Sequence, residues 1–249
     1  MLVLLVTLAA FGAGFLNAVA GGGSFLTFPA LIAAGLPAID ANASNTVALF
    51  PGQIATGFAA RDGLRRASAD KGVNLPVLSA ISLTGGTLGG ILLLLTPQTI
   101  FSRSVPWLIL FATLIFAGGN FLIADAKKFR LSQRGVYVTQ GLVAIYGGYF
   151  GGGIGILMLA TLTLFGLRDI FLMNSVKMLL SALMNASAAV TFTIAGVVHW
   201  RWTAIVAVAA IAGGYAGIHA ARHVPAKLMK GFVVAVGLAL TVYFFIRPA

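Results

Sequence analysis

The sequence contains no cysteine and no glutamate, and its acids amount to five aspartates in 249 residues. Without thiols it can form neither a disulfide nor a thiolate metal site. Three scattered histidines and five aspartates give no metal-ligand cluster, and there is no zinc-binding His-Glu-x-x-His and no Walker phosphate loop. No cofactor is called for. None of the aspartates is central in an apolar run: Asp40 and Asp169 flank short ones, while Asp62, Asp70 and Asp125 lie among basic residues. A carboxylate proton relay or sodium cage inside a bilayer is therefore not expected. Charged residues of both signs make up only 8% of the chain, against about 25% in a soluble domain. That is too little polar material to cover a globular surface in water.

What is present is apolar. Hydrophobic residues make up 59% of the chain and the mean hydropathy is +1.02. This composition specifies an all-α polytopic membrane protein. The alternating strands of an outer-membrane barrel would leave overall hydropathy low. At about 20 residues per crossing the chain allows roughly eight transmembrane helices, with no extramembrane domain between them. Sixteen Lys and Arg give a net charge of +11, but a nucleic-acid reader gathers its cations on one face. Here they sit in short loops between apolar runs, where they orient the chain and meet anionic lipid, so no nucleic-acid partner is expected. The first run resembles a signal peptide, with Ala18-Val19-Ala20 imitating a cleavage site. No Lys or Arg precedes it, however, and it reads as a retained helix.

The apolar runs repeat. Leu2–Val19 is followed by the break Gly21-Gly22-Gly23 and a short piece, Phe25–Leu36. Longer runs then cover 41–60, 73–95 and 105–124. After a basic loop, 125–134, the order recurs: 136–150, a break at Gly151-Gly152-Gly153, a short piece Ile154–Leu167, then 170–198, 203–221 and 231–246. At an offset of 131, Gly21 and Gly22 fall on Gly152 and Gly153, Gly35-Leu36 on Gly166-Leu167, and Ser44 on Ser175. Glycines four apart, Gly85 and Gly89 with Gly213 and Gly217, recur in the third long run of each half and allow close helix approach. The expected organisation is a first membrane repeat at 1–124, a cytoplasmic linker at 125–134 and a second repeat at 135–249. Each short piece is too short to cross alone, so it is re-entrant or shares a shortened crossing, and the second half is inverted relative to the first. The loops 61–72, 125–134, 167–169 and 220–230 then share one side with twelve Lys and Arg, against three on the other. The positive-inside rule places both termini outside, in a bacterial-type inner membrane.

Inverted repeats with broken helices are the signature of secondary transporters that bind substrate near the bilayer midplane. A helix that starts at a glycine break presents amide N–H groups without partners, a positive end that attracts an anion. Two such ends, at Gly21, Gly22, Gly23 and Ser24 and at Gly152 and Gly153, are candidates for facing one another. Close helix packing is the other explanation of the same glycines. Lys177 is the one cation well inside an apolar run, where it costs about 2.5–3.5 kcal/mol and should face protein or water. Snorkelling to the interface near Arg168 and Asp169 is its alternative role. Asn174, Lys177, Ser181 and Asn185 recur at spacings of three and four on one helical face, and Asn42, Thr46, Gln53 and Thr56 form a looser stripe in the first half. A cation without an acid suits an anion. Asn17, one turn before the first break, completes the site or caps a helix. A weak Gly22-Gly23-Ser24 nucleophile with a histidine base leaves intramembrane hydrolysis as a remote alternative.

At these residues the sequence resembles the sulfite exporter TauE/SafE family of anion transporters. The likeness is carried by Gly14–Ser24, Phe28–Pro37 and Ala41–Thr46, by Gly147–Gly155, Gly166-Leu167 and Asn174-Ser175-Val176-Lys177, and by Gly196–Trp200. The second half departs in having Ala160 where the first has Pro29. The resemblance implies movement of a small sulfur-containing anion such as sulfite, thiosulfate or a sulfonate, without a chemical reaction. The expected substrate-binding set is Asn17, Gly21 to Ser24, Ser44, Asn45, Thr46, Gly152, Gly153, Asn174, Ser175 and Lys177. An anion channel is the first alternative to a carrier.

Overall fold

The computed structural model describes residues 1–19, 22–59, 64, 74–126, 131–220 and 226–247. Gly21, nearly all of the loop 61–72 and parts of the loops 125–134 and 220–230 lie outside these. Ten α-helices, and no strand, are found among the described residues: α1 (Leu2–Val19), α2 (Ser24–Ala33), α3 (Ala38–Ala59), α4 (Leu75–Leu95), α5 (Gln98–Ala126), α6 (Gln133–Tyr149), α7 (Ile154–Leu164), α8 (Ile170–Ile194), α9 (Trp200–Ala220) and α10 (Ala226–Ile246). Three starts carry side-chain caps. Asn74 accepts from the Val77 N–H at 3.3 Å, Ser132 from that of Gly135 at 3.3 Å, and Asp169 from that of Phe171 at 2.8 Å.

Among the described residues, three segments are long and apolar enough to cross a bilayer on length and composition: Leu75–Leu95, Gln98–Gly119 and Ile170–Ile194. α1 and α10 contribute shorter apolar stretches, Leu2–Ala18 and Gly231–Ile246, and α6 has 17 residues. α3 carries Asp40, Asn42, Asn45 and Gln53, and α9 begins Trp200-Arg201. Polar residues spent on internal contacts lower the hydropathy of a helix that still has an apolar exterior. Leu8, Leu88, Trp107, Leu114, Val138, Leu142, Val208 and Tyr215 are all more than half exposed, as the outer wall of a helical membrane protein requires.

The short helices have the lengths that the glycine breaks imply. α2 has 10 residues and α7 has 11, or about 15–17 Å at 1.5 Å per residue. Both end in the same Schellman motif. Gly35 at φ +95° and Gly166 at φ +93° take the left-handed position. In the first, Leu36 N–H donates to Leu31 C=O and Gly35 N–H to Ile32 C=O; in the second, Leu167 donates to Leu162 and Gly166 to Thr163. Their starts differ. Gly23 before α2 is right-handed at φ −57°, whereas Gly153 before α7 is left-handed at φ +70°. Pro29 sits within α2, so the Phe25 carbonyl lacks its usual i+4 donor there.

The helices pair across the midpoint of the chain. α1 packs on α9 and α4 on α6; α4 packs on α8 and α9 on α3; α5 meets α7 and α10 meets α2; α3 packs on α8 and α5 on α10. Exchanging the halves turns the first six pairings into one another, α1–α9 into α4–α6, α4–α8 into α3–α9 and α5–α7 into α2–α10, and returns α3–α8 and α5–α10 to themselves. At one end of the bundle the starts of α3, α5 and α9 gather. Ile39 N–H donates to Gln98 Oε1 at 3.3 Å, and His199 N–H to Ser44 Oγ at 2.9 Å. At the other end, Leu131 N–H before α6 donates to the Leu164 carbonyl that closes α7, at 3.1 Å.

The two tightest seams are made of glycine. A Cβ on Gly213 would lie 1.9 Å from the Phe11 carbonyl oxygen, and one on Gly14 would lie 1.9 Å from that of Ala210. In the α4–α6 seam a Cβ on Gly89 would stand 2.1 Å from the Ile145 oxygen, and one on Gly148 would stand 2.2 Å from that of Gly86. Backbone meets backbone at both seams, which is how helices associate where lipid removes the hydrophobic drive.

Candidate functional site

The sequence places a cation and a helix start at the same point, and the fold brings them together. Gly151 at φ +76° and Gly153 at φ +70° turn the chain from α6 into α7. Tyr146 Oη donates to the Gly152 carbonyl at 2.7 Å and steadies the turn. Among the described residues no acceptor takes the N–H groups of Gly152, Gly153 or Gly155. These amides form the positive end of α7.

Lys177 comes to this end from α8. A Cβ added at Gly155 would lie 4.0 Å from its Cδ, so its stem rests against the first turn of α7. Its Nζ donates to Asn174 Oδ1 at 2.9 Å. Among the described residues it has no ion pair, and the nearest acid in sequence, Asp169, spends its carboxylate on the α8 cap. The ammonium leans one turn toward the start of α8, the direction a snorkelling lysine takes. Two positive groups, an ammonium and a helix start, thus accumulate without a counter-charge beside them. Ser175, the neighbour of Asn174, is buried and donates to its own helix at the Phe171 carbonyl, 3.0 Å away.

The first-half break is built otherwise. Asn17 Oδ1 accepts from the Gly23 N–H at 2.8 Å, so the side chain at the end of α1 occupies a donor that would have faced a ligand. Gly22 takes φ +88° and leads into Ser24, the first residue of α2. Thr27 Oγ1 donates to Asn45 Oδ1, tying α2 to α3. Thr46, at the place in the repeat that Lys177 holds, donates to its own Asn42 carbonyl at 2.9 Å. Ser44 accepts from His199 at the end of the bundle. The residues expected to form one two-sided site are therefore in two settings. Lys177 and Asn174 come to the first turn of α7 at Gly155, next to the break at Gly152 and Gly153. Asn17, Gly22, Gly23, Ser24, Asn45 and Thr46 belong to the other break, where Asn17 takes the Gly23 amide and the N–H groups of Gly22 and Ser24 find no acceptor among the described residues.

Between the two breaks run contacts that the sequence does not announce. Asn42 Nδ2 donates to the Tyr149 carbonyl at 3.0 Å, just before the second break. Asn185 Nδ2 donates to Gln53 Oε1 at 2.9 Å, joining the polar stripes of α8 and α3. At the end of the bundle, away from the breaks, His199 Nε2 lies 2.8 Å from Asp40 Oδ2. The stripes signalled that these residues share faces; which partner each would find was not readable from spacing.

Comparison with known proteins follows the same outline. A family model described as "Sulfite exporter TauE/SafE" matches residues 6–244. The "Probable membrane transporter protein ORF9" of a Sinorhizobium species is 28% identical over 243 residues, covering 96% of this chain and 91% of that protein. A "Probable membrane transporter protein" of Haemophilus influenzae is 28% identical over 240 residues, covering 93% and 89%. The "Probable membrane transporter protein YfcA" of Escherichia coli K12 is 28% identical over 237 residues, covering 92% and 84%. No solved structure matches the chain.

Proposed function

The chain belongs to the sulfite exporter TauE/SafE family, and from that premise we propose that it is a secondary transporter of a small sulfur-containing oxyanion. It sits in a bacterial-type inner membrane with both termini outside, and works by alternating access between two inverted repeats, 1–124 and 135–249. The observation that carries this reading is Lys177, its stem against the first turn of α7 and its ammonium on Asn174. A half-buried cation next to a positive helix end needs an anion, and in hydrocarbon that need is strong.

The helix pairing supports the inverted repeat, since swapping the halves exchanges three couples of pairs and leaves α3–α8 and α5–α10 unchanged. The ends support it too. α1 and α9 lie side by side at Phe11 with Gly213 and at Phe15 with Gly217, so they run parallel, and α9 starts where α3 and α5 start. α6 starts at the opposite end, beside Leu164. Corresponding helices of the two halves then point in opposite directions, and the short helices return to the end from which their hairpins began. Lys177 beside α7, against Thr46 at the same place of the first half and Asn17 on the Gly23 amide, supports a single anion on α7.

A carrier and a channel differ in counter-movement. In proteoliposomes loaded with unlabelled sulfite or methanesulfonate, the carrier accelerates uptake of the labelled anion and saturates with concentration. Flux that neither saturates nor responds to the internal anion would leave a pore and overturn alternating access.

A further inference from the structure

In a helix, a serine or threonine hydroxyl shielded from water usually donates to the carbonyl four residues back. Most buried hydroxyls of this chain follow that habit. Thr46, Thr113, Thr161, Thr163, Ser175 and Thr241 all do so, at 2.7 to 3.0 Å. Ser44 and Ser82, which do not, accept instead from the His199 N–H and the Gln140 amide. Ser181 does neither. Its Oγ is shut off from solvent and has no hydrogen-bond partner among the described residues, although the Lys177 carbonyl stands four residues before it on the same helix. Two other buried side-chain atoms lack a partner among the described residues, Gln140 Oε1 and Thr203 Oγ1. Gln140 is anchored to Ser82 in the α4–α6 pairing through its amide nitrogen, and Thr203 lies one turn into α9. Only Ser181 is one turn from the lysine, on the face shared by Asn174, Lys177 and Asn185.

Leaving such a hydroxyl unmatched is costly, and removing its partner costs more than never having had one. A group held in that condition beside a cation is explained by a ligand that is bound for part of the cycle. The donors then available are of three kinds and come from two helices: the Lys177 ammonium, the free amides at the start of α7 and the Ser181 hydroxyl. All are donors, and no carboxylate pairs with Lys177 among the described residues.

We infer that Ser181 is a substrate ligand, donating its hydroxyl to the third oxygen of a trigonal oxyanion whose other oxygens are held by Lys177 and the α7 amides. The inference rests on the anion site proposed above and narrows its substrate. A sulfite or sulfonate group, with three oxygens, satisfies the full donor set, whereas a carboxylate, with two, leaves Ser181 unmatched. Ser181 thereby selects among anions of equal charge.

Methanesulfonate and acetate, both monoanions carrying a methyl group, separate these cases. Binding of each to the purified full-length protein is measured by titration calorimetry for the parent, Ser181→Ala, Ser181→Thr and Lys177→Met. The parent is expected to prefer methanesulfonate. Ser181→Ala should weaken methanesulfonate about tenfold, the usual worth of a hydrogen bond to a charged group, and leave acetate within twofold. Ser181→Thr should restore the preference. Because the Ser181 hydroxyl has no protein partner to lose, Ser181→Ala should melt no lower than the parent. If Lys177→Met loses both anions while Ser181→Ala keeps its methanesulfonate affinity, the serine is not a ligand and the anion site stands. An equal loss of both anions in Ser181→Ala would also overturn the selective role. If the parent binds neither anion, the carrier reading falls, and this inference with it.

Discussion

The α1–α9 seam offers a perturbation whose size can be worked from the structure. Replacing Gly213 by alanine puts a Cβ 1.9 Å from the Phe11 carbonyl oxygen and 2.7 Å from its carbonyl carbon. Neither is the end of a flexible side chain, so the helices themselves must part by about 1 Å or more. A radial gap of that size forfeits a quarter to a half of each contact's dispersion energy along the seam, and forced overpacking costs about 1–3 kcal/mol or more. Against this, alanine regains up to about 1 kcal/mol of helix propensity. A net loss of about 2 kcal/mol corresponds to a melting temperature roughly 4–8 °C lower in a chain of this size. Gly118→Ala is the control. It lies inside α5 with nothing within 4 Å of an added Cβ, so only the propensity gain remains and it should melt slightly above the parent. The assay is thermal unfolding of the two purified variants in the same detergent, followed by loss of the monodisperse peak. If Gly213→Ala melts with or above Gly118→Ala, the backbone-to-backbone seam is not what holds α1 to α9.

Lys177→Met removes the ammonium but leaves the α7 amides and Gly153 in place. It should weaken binding of the best sulfur anion roughly ten- to a hundredfold while the protein keeps or gains stability, since a charge costly in hydrocarbon is gone. Binding equal to the parent's would reduce the lysine to an interfacial anchor. Because the chain lacks cysteine, single cysteines report sidedness directly. Thr99→Cys, exposed at the start of α5, should react with an impermeant maleimide from outside, and Ser68→Cys and Ala226→Cys only after the cytoplasmic side is opened. An outside signal at Ala226 would end the inverted arrangement.

Local features of the fold were legible because they depend on local chemistry. The glycine breaks, the two short helices and the Gly35-Leu36 and Gly166-Leu167 ends follow from residues adjacent in sequence, and the structure ends both helices with the same Schellman bonds. The spacing of Gly85, Gly89, Gly213 and Gly217 announced close approach, yet said nothing of the partner. That α4 meets α6, and α9 meets α1, depends on how whole helices pack. The same holds for the site. Lys177 stood out because charge in an apolar run is costly, but Asn17 as the occupant of the Gly23 amide and the link from Asn42 to the Tyr149 carbonyl needed coordinates.

The α1–α9 seam also bears on how the molecule is made. Phe11 and Gly213 are separated by about 200 residues, and at a synthesis rate of about 5–20 residues per second the second follows the first by roughly 10–40 s. For that interval α1 sits in the bilayer with Gly14 and its neighbours turned to lipid, which can cover the groove but cannot fill it as a helix does. Neither half can complete its own interior, because each keeps the mate of the other's first helix. Assembly is therefore a late event that waits on the last fifth of the chain, and a ribosome that stalls before α9 releases a product with its most closely fitting surface still uncovered.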